Sequence, residues 1–200
     1  VKILKNWNIN FRQIDILDEN LLKETLFDAD LIYHLAGVTD VGTISKDINK
    51  KRDKLVYDVG VKGTRNVIKY CKKEAKIIFP STHVIFEGTK NVKTNISEID
   101  EPKPNLIYSK SKHISEKDVI QSGKNFVILR LGSVYGLSFD STRLNIMPNH
   151  FAKVTSMSGE VKLFGGGKQL KSLVSVRDVS RSMMHTGESE DINREIFNCV

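Results

Sequence analysis

The segment Asp30-Leu31-Ile32-Tyr33-His34-Leu35-Ala36-Gly37 decides the fold. It is a near-continuous apolar run that closes on a small residue and a glycine. A run of this length without polar alternation reads as a strand of a parallel sheet, covered on both faces. The segments around it repeat the theme. Upstream, residues 9–16 read as a strand ending at Asp15-Ile16, and Asp18 is placed to cap a helix reaching Phe27. Downstream, a polar loop over residues 38–47 leads into a long helix, residues 51–73. Val56, Gly60, Gly63, Val67 and Tyr70 recur on one stripe of it. Each interior glycine costs about 1 kcal/mol against alanine, so close packing against a neighbour is expected there.

Further along, residues 76–79 form a strand closed by Pro80-Ser81-Thr82, and residues 98–104 are an acidic, proline-bearing loop. Residues 108–121 form a helix stopped by Gly123, and residues 126–131 a buried strand ending at Gly132. Residues 137–148 read as irregular, 151–157 as helix, 161–164 as a short strand and Gly165-Gly166-Gly167 as a turn. A strand over 173–176 precedes a helix that Asp178 can cap. Strands alternating with helices argue for an α/β fold with a doubly wound parallel sheet. Such sheets bind ligands at the carboxyl ends of their strands. That places Ala36-Gly37, Ser81-Thr82 and Gly132-Ser133 along one rim.

Composition narrows the function. Two hundred residues, 40% hydrophobic and 28% charged, suit one globular domain or one domain and part of another. No apolar run approaches the roughly 18–20 residues of a membrane span, and no secretory leader is visible. Cys71 and Cys199 sit in regular segments as small core residues. Two cysteines make no disulfide framework, so a reducing, cytoplasmic location is expected. The net charge of +7 reads as a lysine-rich surface. Lys50-Lys51-Arg52 and Lys72-Lys73 carry no interleaved aromatics, so neither nucleic acid nor a membrane is an expected partner. No histidine, cysteine and carboxylate spacing suggests a metal site. Gly165-Gly166-Gly167-Lys168-Gln169 lacks the Lys-Ser/Thr of a phosphate loop.

The chemistry centres on Tyr108 and Lys112, four residues apart and so on one helix face. A tyrosine titrates near 10, and to move protons at neutral pH it must come down by roughly 3 units. An adjacent ammonium favours the phenolate, and Lys112 is placed to supply it. Thr82, at a neighbouring strand end, can donate to oxygen on a substrate carbon. The pair alone carries little, since a lysine-rich chain with 5 tyrosines produces one by chance. Its surroundings carry more.

In chain order, Leu35-Ala36-Gly37, Gly63-Thr64-Arg65-Asn66, the stretch Ser81 to Gly88, Tyr108-Ser109-Lys110-Ser111-Lys112 and Arg130-Leu131-Gly132-Ser133-Val134-Tyr135-Gly136 resemble the extended short-chain dehydrogenase/reductase family. That family comprises nucleotide-sugar epimerases, dehydratases and reductases. The resemblance implies a Rossmann-like fold that lacks its first strand-helix-strand segment, with the beginning of a smaller substrate-binding region. Residues 1–136 would be a partial NAD(P)-binding domain, and 137–200 part of the substrate region interleaved with the last strands. Thr82, Tyr108 and Lys112 would be catalytic. Asp15, Ile16, Leu35, Ala36, Gly37, Leu131, Ser133 and Val134 would join Tyr108 and Lys112 at the cofactor. Thr82, His83, Arg143, Asn149 and Lys171 would face the substrate, a nucleotide-diphosphate sugar. The cofactor expected is NAD, with NADP left open because the strand that chooses between them lies outside the matched motifs. A homodimer is implied, paired through the long helix and the tyrosine helix.

The departures are informative. The glycine-rich first turn that cradles a pyrophosphate is absent. An asparagine common in the long helix is replaced by Gly60. The Asp-Glu pair that follows the threonine in sugar 4,6-dehydratases is His83-Val84 here, which disfavours dehydration. The expected activity is therefore epimerisation through transient oxidation of a sugar hydroxyl. A keto-sugar-nucleotide reductase and a non-catalytic dinucleotide-binding module are the alternatives.

Overall fold

The computed structural model describes residues 7–39, 50–90, 93–138, 142–157 and 159–200. In chain order its elements are α1 (Glu19–Leu26), β1 (Leu31–Tyr33), α2 (Lys50–Tyr57), a π-helical turn (Asp58–Lys62), α3 (Gly63–Tyr70), β2 (Lys76–Thr82), a 3-10 turn (His83–Phe86), α4 (Ile107–Gln121) and β3 (Asn125–Leu131). There follow β4 (Ser133–Tyr135), α5 (Met147–Met157), a 3-10 turn (Phe164–Gly167), β5 (Leu173–Ser175), α6 (Val176–Glu188) and β6 (Glu195–Cys199). The main sheet has the order β1-β2-β3-β6, and a second, two-stranded sheet pairs β4 with β5. Every pairing is parallel.

The period of two along each strand splits the core into two layers. Ile77 and Phe79 of β2, with Phe126 and Ile128 of β3, face α1, α3 and α4 through Leu22, Val67, Cys71 and Val119. Ile78, Val127 and Leu129 point the other way, against Val179 and Met183 of α6 and Val174 of β5. Helices therefore cover both faces, as a doubly wound sheet requires. At about 25 cal/mol per Å² of apolar area removed from water, these two layers are the main source of stability.

The interior glycines of the long helix are explained by contact. A Cβ at Gly60 would lie 2.7 Å from the Ser111 hydroxyl, and one at Gly63 would lie 2.8 Å from Ile16 Cγ2. The helix is not continuous as expected. The Gly63 N–H reaches back to Asp58 O, an i to i+5 bond, so one π turn separates α2 from α3. The Gly60 carbonyl there accepts from the hydroxyls of Thr64 at 2.6 Å and Ser115 at 2.9 Å. Two side chains thus satisfy an oxygen that the widened turn exposes.

Four expectations are corrected. Residues 9–16 form no strand, because an extended segment becomes one only with a ladder partner, and no described segment pairs with it. Residues 161–164 form no strand either. Residues 161–163 are irregular and Phe164–Gly167 is a 3-10 turn with Gly165 and Gly166 at positive φ. The last helix is capped by Ser175, whose hydroxyl accepts from Asp178 N at 3.1 Å and donates to the Asp178 carboxylate at 2.7 Å. Asp178 supports the cap through that hydroxyl and is not the cap itself. β1, the end strand of the sheet among the described residues, is covered unevenly: Ile32 and His34 are buried while Tyr33 and Leu35 are exposed. From residue 40 onward, the polar loop expected over 38–47 lies outside the described residues.

Candidate active site

The carboxyl ends of β1, β2 and β3 open on the same rim, and α4 starts beside it. Tyr108 is the second residue of α4, and Thr82 is the last residue of β2. Thr82 also caps the 3-10 turn, its hydroxyl oxygen accepting from Val84 N at 3.2 Å. The Thr82 hydroxyl is close enough to the Tyr108 oxygen to favour the phenolate. Burial outweighs it and holds the Tyr108 pKa above the ordinary tyrosine value; the Arg143 charge and the Thr82 bond pull the other way.

Among the charges near the phenol, Arg143 favours its ionised form. Lys112 is turned toward the sheet. Its Nζ donates to Pro80 O at 2.8 Å and sits 4.5 Å from the centroid of the Phe79 ring. Lys112 is only 9% exposed. Burial pushes its amine down to about 8, against the opposing pull of the Glu116 carboxylate. A Cβ added at Gly37 would lie 3.9 Å from this amine. Gly37 therefore borders the amine at contact distance, and Lys112 keeps protons beyond the one given to Pro80 O. A ribose hydroxyl fits that donor, so the residues present suit a nicotinamide nucleotide at this rim.

Neighbouring groups are fixed by backbone contacts. His83 Nδ1 lies 2.9 Å from Leu131 O. An imidazole nitrogen facing a carbonyl carries the proton, which leaves Nε2 as acceptor. Arg143 bonds Asn145 Oδ1 at 2.9 Å and Thr39 O at 3.0 Å. Asn149 accepts from Gly136 N and donates to Arg143 O, both at 3.0 Å, so it holds the loop that carries Arg143. Ser133 and Val134 are half-buried in β4, and the Ser133 N–H donates to Ser172 O at 2.9 Å. Lys171, next to Ser172, is exposed. Leu35 offers an apolar surface at the rim, 62% exposed. Asp15 and Ile16 stand apart from the tyrosine: the Asp15 carboxylate accepts from Leu17 N at 2.9 Å, and Ile16 O accepts from Asn66 at 3.1 Å.

Behind the rim lies a buried polar chain. His34 Nε2 lies 2.8 Å from the Thr64 hydroxyl, and its ring stacks on Phe79 at 5.5 Å. Because Thr64 donates to Gly60 O, His34 is the donor to Thr64. Burial, with help from the Lys112 charge, pushes the His34 pKa down to about 4, so the ring is neutral. His34 is a satisfied core residue, as its apolar surroundings in the sequence imply. The parts that sequence reasoning missed are Phe79 and the Pro80 carbonyl beneath Lys112. A carbonyl has no sequence signature, and Phe79 reads only as a core residue.

Among the described residues no group of histidine, cysteine and carboxylate side chains is placed to hold a metal. None of their helices is long and apolar enough to cross a membrane.

Fold and rim together define a dinucleotide-binding type of α/β architecture with a tyrosine and a lysine at its ligand edge. The chain belongs to the NAD dependent epimerase/dehydratase family, which it matches over residues 2–199. It is 27% identical over 204 residues to a UDP-N-acetyl-alpha-D-glucosaminuronate decarboxylase of Bacillus cytotoxicus, covering 96% of this chain and 60% of that protein. It is 30% identical over 155 residues to a probable low-salt glycan biosynthesis reductase of Haloferax volcanii, covering 76% of this chain and 49% of that protein. Among solved structures, UDP-glucose 4-epimerase of Thermotoga maritima with UDP-glucose aligns at a TM-score of 0.78 and 26% identity, over 96% of this chain and 62% of that one. The UDP-glucuronic acid 4-epimerase of Bacillus cereus, in complex with UDP-glucuronic acid and NAD, shares the fold at a TM-score of 0.78 and 23% identity, over 98% and 62%. The chain thus spans about half to three fifths of the length of the curated relatives it matches.

Proposed function

We propose that this chain carries the catalytic centre of an NAD-dependent nucleotide-sugar epimerase acting in the cytoplasm. The observation that supports it most is Thr82 and Tyr108 side by side at one rim, with the Lys112 amine held just inside it beside Gly37. Tyr108 takes the proton of a sugar hydroxyl, and Thr82 holds the same oxygen. Lys112 donates its remaining protons to the nucleotide ribose. NAD, when bound, would supply the hydride acceptor and donor for the same sugar carbon, and the charge of its ring would favour the phenolate. Arg143 contributes in the same direction. Arg143, Asn149, His83 and Lys171 line the side where the diphosphate sugar binds. Asp15, Ile16, Leu35, Ala36, Leu131, Ser133 and Val134 complete the cofactor side. A homodimer through α2, α3 and α4 belongs to the same reading, and Arg65 of α3 already pairs with Asp118 of α4 at 2.7 Å.

Tyr108→Phe tests the assignment. It should cut turnover by at least about 10²-fold, the usual worth of a positioned acid–base group, while the protein still retains NAD. Turnover equal to wild type in that variant overturns the reading. The second reading, a keto-sugar-nucleotide reductase, is favoured by the reductase among the relatives. Stoichiometric consumption of NADH with a keto-sugar nucleotide would select it, because an epimerase returns its hydride.

A further inference from the structure

We propose that Glu87 is a positioning residue that holds Tyr108 within hydrogen-bond reach of Thr82, capping α4 from outside the helix. The proposal rests on the reading of Tyr108 as the proton-transferring group. α4 begins without a side-chain cap of its own, since Leu106 stands at the N-cap. One orphan donor at this end of the helix, the N–H of the N-cap residue Leu106, goes to Glu87 instead. Its Oε1 accepts from Asn105 N at 3.0 Å, from Leu106 N at 2.6 Å and from the Ser109 hydroxyl. A carboxylate is also the group that a helix N-terminus favours.

The same residue closes the turn that starts at Thr82. Thr82 caps the first end of the 3-10 turn, and the Glu87 N–H donates to Val84 O at 3.0 Å at the other. Two further contacts keep this bracket from swinging. The Gly88 N–H donates to Lys103 O at 2.9 Å, and a Cβ at Gly88 would strike that oxygen. Phe86 is buried, with the Arg130 guanidinium 5.5 Å from its ring. One end of the bracket is therefore the threonine, and the other grips the first turn of the tyrosine helix. Glu87 is thus the side chain that ties the turn beginning at Thr82 to the start of the tyrosine helix.

A misplacement of about 1 Å at a reacting group costs on the order of 10²-fold in rate. In the full-length enzyme, Glu87→Ala should lower kcat about 10²-fold with the sugar-nucleotide KM changed less than about threefold. Glu87→Gln keeps an acceptor oxygen at the same reach and should restore kcat to within a few fold. Hydrogen exchange gives a readout apart from activity: the amides of residues 105 and 106 should lose protection in Glu87→Ala and keep it in Glu87→Gln. Lys76→Ala is the control for stability alone. It removes the Nζ bonds to Thr186 O at 2.5 Å and Ser189 O at 2.6 Å, at the opposite end of β2. It should lower the melting temperature by several degrees and leave kcat unchanged.

Wild-type kcat in Glu87→Ala, a Gln variant as impaired as the Ala variant, or unchanged exchange at 105 and 106 overturns the proposal. If Glu87→Ala does not fold, Glu87→Asp decides, because a carboxylate arm one methylene shorter should still cap but lower kcat at least about tenfold. A wild-type rate there also overturns it. An active Tyr108→Phe variant would instead refute the catalytic reading while the exchange result for Glu87 stood.

Discussion

Replacing Lys112 by methionine should abolish turnover and yet stabilise the protein near neutral pH. The ammonium is 9% exposed, and burial brings its pKa from an ordinary 10.5 to about 8. At about 1.4 kcal/mol per tenfold change in a protonation equilibrium, keeping this charge in the folded state costs about 3 kcal/mol below pH 8. The bond to Pro80 O and the Phe79 ring contact return about 1–2 kcal/mol that methionine forgoes. A net gain of about 1–2 kcal/mol is expected, or a rise of about 3–8 °C in melting temperature for a chain of this size. The sign follows from linkage. Between pH 8 and 10.5 the unfolded chain holds the Lys112 proton and the folded chain has released it, so wild-type stability rises with pH across that window. Melting curves of both proteins from pH 6 to 10.5 should show Lys112→Met ahead at neutral pH and the gap closing as pH rises. A methionine variant less stable than wild type at pH 7, or a gap that ignores pH, would refute the burial argument.

Three further outcomes are expected. Glu116 and Arg130 form a two-pronged pair with side-chain exposures of 2% and 5%. Glu116→Ala leaves the guanidinium buried without its carboxylate and should cost about 3–5 kcal/mol in denaturant unfolding, whereas an apolar replacement of both residues should recover most of it. Gly60→Ala should cost about 1–3 kcal/mol because its Cβ would meet the Ser111 hydroxyl at 2.7 Å; Ser111→Ala in the same chain should remove most of that cost, read as a coupling in a double-mutant cycle. His34 is held neutral with its pKa near 4 against an ordinary 6.5. The unfolded chain therefore binds its proton first as pH falls, and about 3 kcal/mol of stability is lost between pH 6.5 and 4. His34→Gln should flatten that stretch of the stability–pH curve.

The site was legible to different depths. Tyr108, Lys112 and Thr82 were singled out by helix spacing, strand ends and the resemblance of the motifs around them, all of which are local in the chain. Their electrical relations were not. The Lys112 amine goes to Pro80 O, and Arg143, 35 residues beyond Tyr108 in the chain, favours the phenolate. Glu87 reads as an ordinary turn residue until Asn105, Leu106 and Ser109 are seen around it.

The amino-acid order by itself determined the parallel α/β architecture, the two-layer core and the rim on which the ligand edge opens. Those follow from hydrophobic period, glycine and proline punctuation and capping residues, which act over a few neighbours. Only the tertiary structure decided which apolar runs become strands, since 161–163 has that composition and finds no ladder partner. It also decided why Gly60 must lack a side chain and which partner each buried charge takes. These depend on groups far apart in the chain meeting at contact distance, and no local pattern encodes that distance.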